Sequence, residues 1–259
     1  MFTFFNLLQV LGLLTYVNAH LSLITIHGSN NKVGHAFGVH TDGKYPRRPG
    51  GSGDAGGDSG VFQTGTDHPN PACGSTPELG QVDVTSWLSQ AEGSGLPAAY
   101  SNGSLVVTAF QVNRDGGGPM SCEYNEDATT KSFKPMTMTL NQAGNSGILP
   151  HVRVNSTVVM TFPSGAKCTG GWTQTACIVR CRTGVNKRFG GCFAAKLASS
   201  NSLSLASGSG KGSTGLTSQQ INQIAAAVIA QMKSSGYVIS KSAKSRTRHR
   251  NRSIDEDAE

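Results

Sequence analysis

The hydrophobic positions of this chain fall in short runs separated by stretches rich in glycine, proline and polar residues. Runs that alternate with period two, or that are rich in β-branched residues, predict β-strands. Short strands with turns between them predict a mainly β fold, a sandwich of the immunoglobulin-like type with long loops. The predicted strands are Leu21–Ile26, Leu105–Val112, Met136–Leu140, His151–Val154, Thr157–Phe162 and Ile178–Cys181.

Two segments carry a helical pattern instead. Asp83–Ala91 predicts a short helix inside the β-domain, which we place at residues 20–198. In Thr217–Met232 the apolar residues recur on one helical face, which predicts an amphipathic helix that docks on the domain or self-associates. A serine- and glycine-rich linker, residues 199–215, precedes the helix and basic tail of residues 216–259.

Residues 1–19 have the pattern of a secretory signal peptide. The apolar run Leu7–Leu14 leads to Val17 and Ala19, small residues that suit signal peptidase. A membrane anchor is the alternative, but the run is far shorter than the roughly 20 apolar residues that a spanning helix needs. We therefore expect a secreted, extracellular protein whose mature chain begins at His20 and has no transmembrane segment.

All six cysteines lie in the expected mature chain. An even number in a secreted chain predicts three disulfides, and their connectivity stays open. A zinc ribbon is a weaker interpretation because Cys177 and Cys181 lack the paired spacing. Sequons beginning at Asn102, Asn155 and Asn251 predict a glycoprotein. The predicted disulfide residues are Cys73, Cys122, Cys168, Cys177, Cys181 and Cys192.

The net charge of +7 is spread unevenly. Residues 20–198 hold 14 Lys and Arg against 11 Asp and Glu, whereas residues 199–259 hold 8 against 4. A mildly basic domain does not require a nucleic-acid partner, and a secreted protein would rarely meet one. A cell-wall polysaccharide or a host surface is the expected partner, and the basic tail is interpreted as a solvated segment.

The junction Ala19-His20 carries the main candidate for chemistry. An N-terminal histidine presents two metal-binding nitrogens, its α-amine and its ring Nδ1, and such nitrogens suit copper. Serine-nucleophile chemistry has less support, because Gly-Asp-Ser-Gly at 57–60 lies in a glycine-rich segment and no Gly-x-Ser-x-Gly elbow is placed between strand and helix. Glycoside hydrolysis needs two carboxylates at a defined separation, and the sequence does not identify such a pair.

Several spaced blocks resemble the Egh16-like fungal proteins, which are secreted and associated with infection structures such as appressoria. Gln111-Val-Asn-Arg-Asp-Gly-Gly-Gly-Pro119 resembles the family's His-Gln-Val-Asn-x-Asp-Gly-Ala-Gly-Pro block. The resemblance covers residues 20–196 in the same order. The other matching blocks are His20, Gly34–Val39, Pro71–Gly74, Cys168–Gly170, Cys177–Cys181 and Phe189–Cys192.

This resemblance also implies a likeness to lytic polysaccharide monooxygenases at the N-terminus, where copper is held by three nitrogens. His20 fits the first residue of such a site, but Phe110 stands where the family block has histidine. A displaced histidine would have to replace it, and His68, on a loop near Cys73, is the plausible candidate. The segments that carry His35 and His40 could also fold back toward His20. His27 is a poor candidate, because it lies seven residues further along the predicted first strand, about 23 Å from His20.

Three hypotheses follow. The first is a secreted, infection- or wall-associated protein that binds polysaccharide or a surface without catalysis. The alternative is a copper-dependent polysaccharide monooxygenase that uses His20 and a displaced second histidine, so enzyme status and copper binding stay open. The third is an adhesive protein that the C-terminal helix and tail assemble in the wall.

Overall fold

The computed structural model describes residues 20–40, 54–63, 69–151 and 153–198. The leader, His68, the linker and the C-terminal helix and tail lie outside the described residues, so the predictions made for them remain predictions. The chain separates into two units, residues 1–215 and 216–259, and the second unit lies outside the described residues.

The described part of the chain is built mainly from β-strands, as the sequence predicted. The strands are β1 (Leu21–His27), β2 (Val33–His35), β3 (Gly60–Val61), β4 (Ser75–Thr76), β5 (Gly80–Gln81), β6 (Ser104–Gln111), β7 (Ser121–Asn125), β8 (Lys134–Pro135), β9 (Thr137–Leu140), β10 (Val154–Thr161), β11 (Cys177–Thr183) and β12 (Phe189–Ala195). The helices are α1 (Asp54–Gly57) and α2 (Val84–Ser94), and 3₁₀ turns span Arg114–Gly116 and Val185–Lys187.

One large sheet contains most of these strands. Its order is β8-β7-β11-β12-β1-β6-β10-β9, with β2 paired to β1, while β3, β4 and β5 form a small second sheet. Every residue of β6 is buried, because it lies between β1 and β10 in the middle of the sheet. β1 and β12 are parallel, with Ser22 opposite Gly190.

The large sheet folds over itself and encloses the core. Tyr124 in β7 and Phe162 after β10 are five strand positions apart, about 24 Å in a flat sheet, yet their rings meet edge to face with centroids 5.0 Å apart. Leu21, Leu105 and Phe193, from three different strands, belong to the same buried cluster. The fold class predicted from the sequence, a disulfide-stapled, mainly β domain, is confirmed.

Three disulfides join the six cysteines and resolve the connectivity that the sequence left open. Cys122–Cys181 links directly opposed residues of β7 and β11. Cys168–Cys177 closes a loop with a sequence separation of 9, and Cys73–Cys192 ties residues 119 apart.

Helix α2 forms where the sequence predicts a short helix. Asp83 caps its first turn, with one carboxylate oxygen accepting from the backbone N–H groups of Thr85 and Ser86. The helix ends before Gly95 and buries Leu88 in a cluster with Ile178 of β11 and with Cys192 and Ala194 of β12. It therefore covers the outer face of that half of the sheet.

The strand predicted at His151–Val154 differs from the structure. Gln111 Nε2 donates to the carbonyl of His151 at 2.8 Å, and Arg153 has a φ of 56°. These features make the chain turn, so β10 begins only at Val154.

Within the part of the chain that is described, no helix has the length and apolar character needed to cross a membrane.

Candidate functional site

His20 lies immediately before β1, at the end of the sheet. Its carbonyl accepts a hydrogen bond from the N–H of Val112 at 3.0 Å, which continues the pairing of β1 with β6. The turn Arg114–Gly116 then passes directly over the His20 backbone, where a Cβ on Gly116 would lie 1.8 Å from the His20 carbonyl oxygen. Only glycine fits this close approach.

The ring of His20 is held on two sides. It stacks on Phe189, with centroids 4.1 Å apart and planes 7° apart. Its Nε2 lies 3.4 Å from Oδ2 of Asp115, a residue of the same turn. The side chain is 15% exposed, so the ring has a fixed position and limited access to solvent.

Burial lowers the pKa of His20 below its ordinary value. The carboxylate of Asp115 opposes this shift, and the positive charge of Arg188 adds to it. The neutral imidazole is therefore favoured, which is the form that binds metal ions or accepts a proton.

The other ring nitrogen of His20 is the atom that an N-terminal metal site would use. Nδ1 is buried and has no hydrogen-bond partner among the described residues. If the chain is cleaved after Ala19, this nitrogen and the new α-amine would offer two donors for copper. The local geometry fits this half of a three-nitrogen site.

The third nitrogen is not supplied by the described residues. Phe110 is 2% exposed and packs with Ile24 and Val112, so an apolar ring occupies the position of the family histidine. Across the sheet, Phe110 is opposite Ser22 and Asn155. Among residues 20–40, 54–63, 69–151 and 153–198, no further His, Cys, Asp or Glu joins His20 and Asp115 in a metal-sized group. A complete copper site does not fit these residues.

The remaining described histidines have other surroundings. His27 is buried, and its Nε2 lies 3.1 Å from Oγ1 of Thr25 and 3.2 Å from Oγ1 of Thr108. His35 lies opposite Thr25 in β2. His151 is exposed. His68, the predicted second ligand, lies outside the described residues, so its role stays a prediction.

A second group of donor atoms was not assembled from the sequence. His40, Asp58 and Glu78 place one ligand atom each within 4.8 Å of one another. Asp58 belongs to the Gly-Asp-Ser-Gly sequence at 57–60, and the residues around it in sequence do not indicate a metal ligand. The residues come from three separate segments, so no local spacing could have revealed the group.

An exposed tryptophan lies on the loop that Cys168–Cys177 closes. Trp172 is 67% exposed, the highest value among the large exposed hydrophobic side chains of the described residues. Backbone bonds between Gly170 and Ala176 close the base of the loop. The buried Glu92 of α2 holds its tip, accepting from the backbone N–H groups of Trp172 at 3.2 Å and Thr173 at 2.9 Å.

The family model of the Egh16-like virulence factors matches residues 18–190. This chain belongs to the Egh16-like family. The match spans the His20 corner, all of β1 to β11 and the start of β12.

Two relatives of this Egh16-like chain come from Pyricularia oryzae. The appressoria-specific virulence factor GAS1 is 37% identical over 135 residues, which are 49% of this chain and 53% of the relative. The appressoria-specific virulence factor GAS2 is 29% identical over 108 residues, 39% of this chain and 37% of the relative. The chain therefore spans about half or less of the length of these relatives. No solved structure matches this chain.

Three of the sequence blocks that resemble the Egh16-like family, those that contain His20, Gln111 and Phe189, meet at one end of the sheet. The turn after Gln111 lies over the His20 backbone, and Phe189 stacks on its ring. Gly190, the next residue of that block, has a φ of 141° and a Cβ there would lie 1.9 Å from the Cys181 carbonyl oxygen. The glycines of these blocks permit the close packing that positions His20.

Proposed function

We propose that this protein is a secreted, virulence-associated Egh16-like protein that binds a neutral cell-wall polysaccharide without catalysis. The family match and two relatives named as appressoria-specific virulence factors support the biological setting. The exposed ring of Trp172, on a loop whose backbone is held by a disulfide and by Glu92, is the observation that carries the binding proposal.

The loop presents this ring at low entropic cost. Its disulfide and its contacts to Glu92 hold the backbone, so little conformational freedom is left to lose when a ligand binds. Tryptophan is also the side chain most often responsible for a large share of binding energy at a protein surface.

The groups beside the ring favour a neutral, hydroxyl-rich ligand. Gln174 and Thr175 are exposed and uncharged, and Thr173 Oγ1 lies 2.9 Å from Thr175 Oγ1. An aromatic face takes the apolar C–H face of a sugar ring, and the amide and hydroxyls can hydrogen-bond its hydroxyl groups. A charged ligand would find no opposite charge among these loop side chains.

The His20 corner supports the non-catalytic part of this proposal. The described residues provide at most two of the three nitrogens of a copper site, and Phe110 cannot coordinate a metal.

Sedimentation with insoluble polysaccharides tests this function. The processed protein is mixed with chitin, cellulose or β-glucan particles, and the bound fraction is measured as a function of particle concentration. We expect Trp172→Ala to weaken binding at least about 10-fold. Leu140→Ala is the matched control, because Leu140 is another exposed apolar residue, at 45%, and should leave binding unchanged. Equal binding by both variants and the wild type, or no binding by the wild type, would refute the proposal.

A copper-dependent monooxygenase is the second candidate function, favoured by the buried and unbonded Nδ1 of His20. It requires cleavage after Ala19 and a second histidine, for which His68 is the candidate. Copper titration of the processed protein, of His20→Ala and of His68→Ala tests it, together with mass spectrometry of polysaccharide treated with a reductant. Tight copper binding that both variants lose, with oxidised oligosaccharides as products, would establish this function and overturn the non-catalytic one.

A further inference from the structure

His40, Asp58 and Glu78 come together from three parts of the chain outside the His20 corner. His40 follows β2, Asp58 lies between α1 and β3, and Glu78 lies in the turn between β4 and β5. Their ligand atoms all lie within 4.8 Å of one another. No other group of three or more His, Cys, Asp or Glu residues within the described ranges meets this spacing.

The distance between His40 and Glu78 matches that of two donors on one ion. His40 Nε2 lies 3.3 Å from Glu78 Oε1. Two ligands of a tetrahedral ion with bonds of about 2.0–2.2 Å are separated by about 3.3–3.6 Å. His40 Nε2 is nevertheless buried without a hydrogen-bond partner among the described residues. The imidazole nitrogen and the carboxylate oxygen are therefore close but not aligned as donor and acceptor.

The buried carboxylate fixes one side of the group. Asp58 is 4% exposed, and its Oδ1 accepts from the backbone N–H of His40 at 3.3 Å. The adjacent Ser59 is fully buried, and its Oγ lies 2.7 Å from Oγ of Ser22 in β1. This contact ties the Asp58 segment to the large sheet. Asp58 and Glu78 each make further interactions as well.

We propose that His40, Asp58 and Glu78 bind a divalent zinc-like cation that has a structural role. One imidazole and two carboxylates form a mixed nitrogen and oxygen set that Zn²⁺ accepts, and a water molecule from the solvent side can complete four ligands. Glu78 is 43% exposed, so the ion has a path for entry.

The position of the site explains what the cation would do. His40 and Asp58 bracket residues 41–57, which include most of the glycine-rich stretch. Glu78 lies in the turn that joins β4 and β5 of the small sheet. One ion would hold His40 and Asp58 against this turn, and it would stabilise the native state increasingly as the free metal concentration rises above Kd.

Calorimetric titration of the metal-free, processed chain with ZnCl₂ tests the proposal. We expect one saturable site, and a rise in Tm when Zn²⁺ is added. His40→Ala and Glu78→Gln should each raise the Kd at least about 100-fold, since each removes one of three protein ligands. Circular dichroism establishes that each variant is folded; both substituted side chains are partly exposed.

A histidine variant outside the group serves as the control. His151→Ala removes an exposed histidine and should keep the zinc affinity of the wild type. His20→Ala distinguishes binding at this group from binding at the His20 corner. The proposal is overturned if the wild type shows no saturable binding, if His40→Ala and Glu78→Gln bind like the wild type, or if His20→Ala alone abolishes binding. Polysaccharide sedimentation does not depend on this site, so either proposal can fail without the other.

Discussion

At the scale of single residues, Gln111 shows how a buried polar side chain organises the His20 corner. It is fully buried, and its Nε2 lies within 2.9 Å of the carbonyl oxygens of Asn113, Leu149 and His151. An amide nitrogen has two N–H groups, so one of them is shared between two acceptors. This side chain connects the turn over His20 with the loop that leads into β10.

We expect Gln111→Met to destabilise the protein by about 3 kcal/mol, because a side chain of similar size would remove the hydrogen bonds that Nε2 donates to three carbonyls. Chemical denaturation measures the free energy of unfolding. Gln90→Met is the control: Gln90 is exposed on α2, so its substitution should change stability by less than about 0.5 kcal/mol. Equal effects at both positions would show that the network contributes nothing.

At the scale of secondary-structure elements, the disulfides connect parts of the fold that differ greatly in sequence separation. Cys73–Cys192 joins the segment before β4 to β12, across 119 residues, whereas Cys168–Cys177 spans 9. A cross-link restricts the unfolded chain more strongly when the loop that it closes is longer.

Removing these two disulfides should therefore have unequal costs. By the entropy of the closed loop, we expect Cys73→Ala with Cys192→Ala to lose about 5 kcal/mol, and Cys168→Ala with Cys177→Ala about 3 kcal/mol. Thermal unfolding of the two double variants, at the same protein concentration, compares them. A larger loss for the shorter loop would contradict the prediction and would point to native contacts of that loop instead.

At the scale of the whole molecule, three histidines make the fold sensitive to acid. Burial is the first cause that lowers the pKa values of His20, His27 and His35 in the folded state. Unfolding returns each to about 6.5. Below that value the unfolded chain binds more protons than the folded one, so stability is complete above about pH 6.5 and decreases as the pH falls.

We expect Tm to decrease between pH 7.5 and pH 5, measured by calorimetry in the presence of a chelator. His27→Gln should reduce the slope, since it removes one of the groups responsible. A Tm that stays constant over this range would show that the buried histidines do not govern acid stability.

The sequence predicted β1, β6, β9, β10, β11 and helix α2 because their patterns are local. It missed β7 and the seven-residue β12. β1 and β6 have runs of apolar or β-branched residues, and Asp83 is a recognisable helix cap. The two- and three-residue strands, such as β3 and β4, were not predicted. They lie in segments without periodicity and exist only because partner strands are brought beside them.

Some residues of the candidate site could likewise be identified from the sequence, and others could not. The cleavage pattern marked His20, and the family block drew attention to Phe110 at the histidine position. The stacking of Phe189 on His20 joins residues that are far apart in sequence, and so does the His40, Asp58 and Glu78 group. Such contacts depend on the tertiary fold, and a single sequence does not contain them.

The parallel pairing of β1 with β12 has a consequence for the order in which the chain folds. The start of β1, at Ser22, lies between β12 and β6, whereas β2 pairs with the same edge further along, at Thr25–His27. The edge at Ser22 therefore stays open until residues 189–195 have been synthesised. Contacts between the ends of a domain are slow to form because a long loop must close first. The central sheet is therefore completed only at the end of domain synthesis, and a ribosome stalled before β12 would hold a chain whose first strand still has an unpaired edge at Ser22.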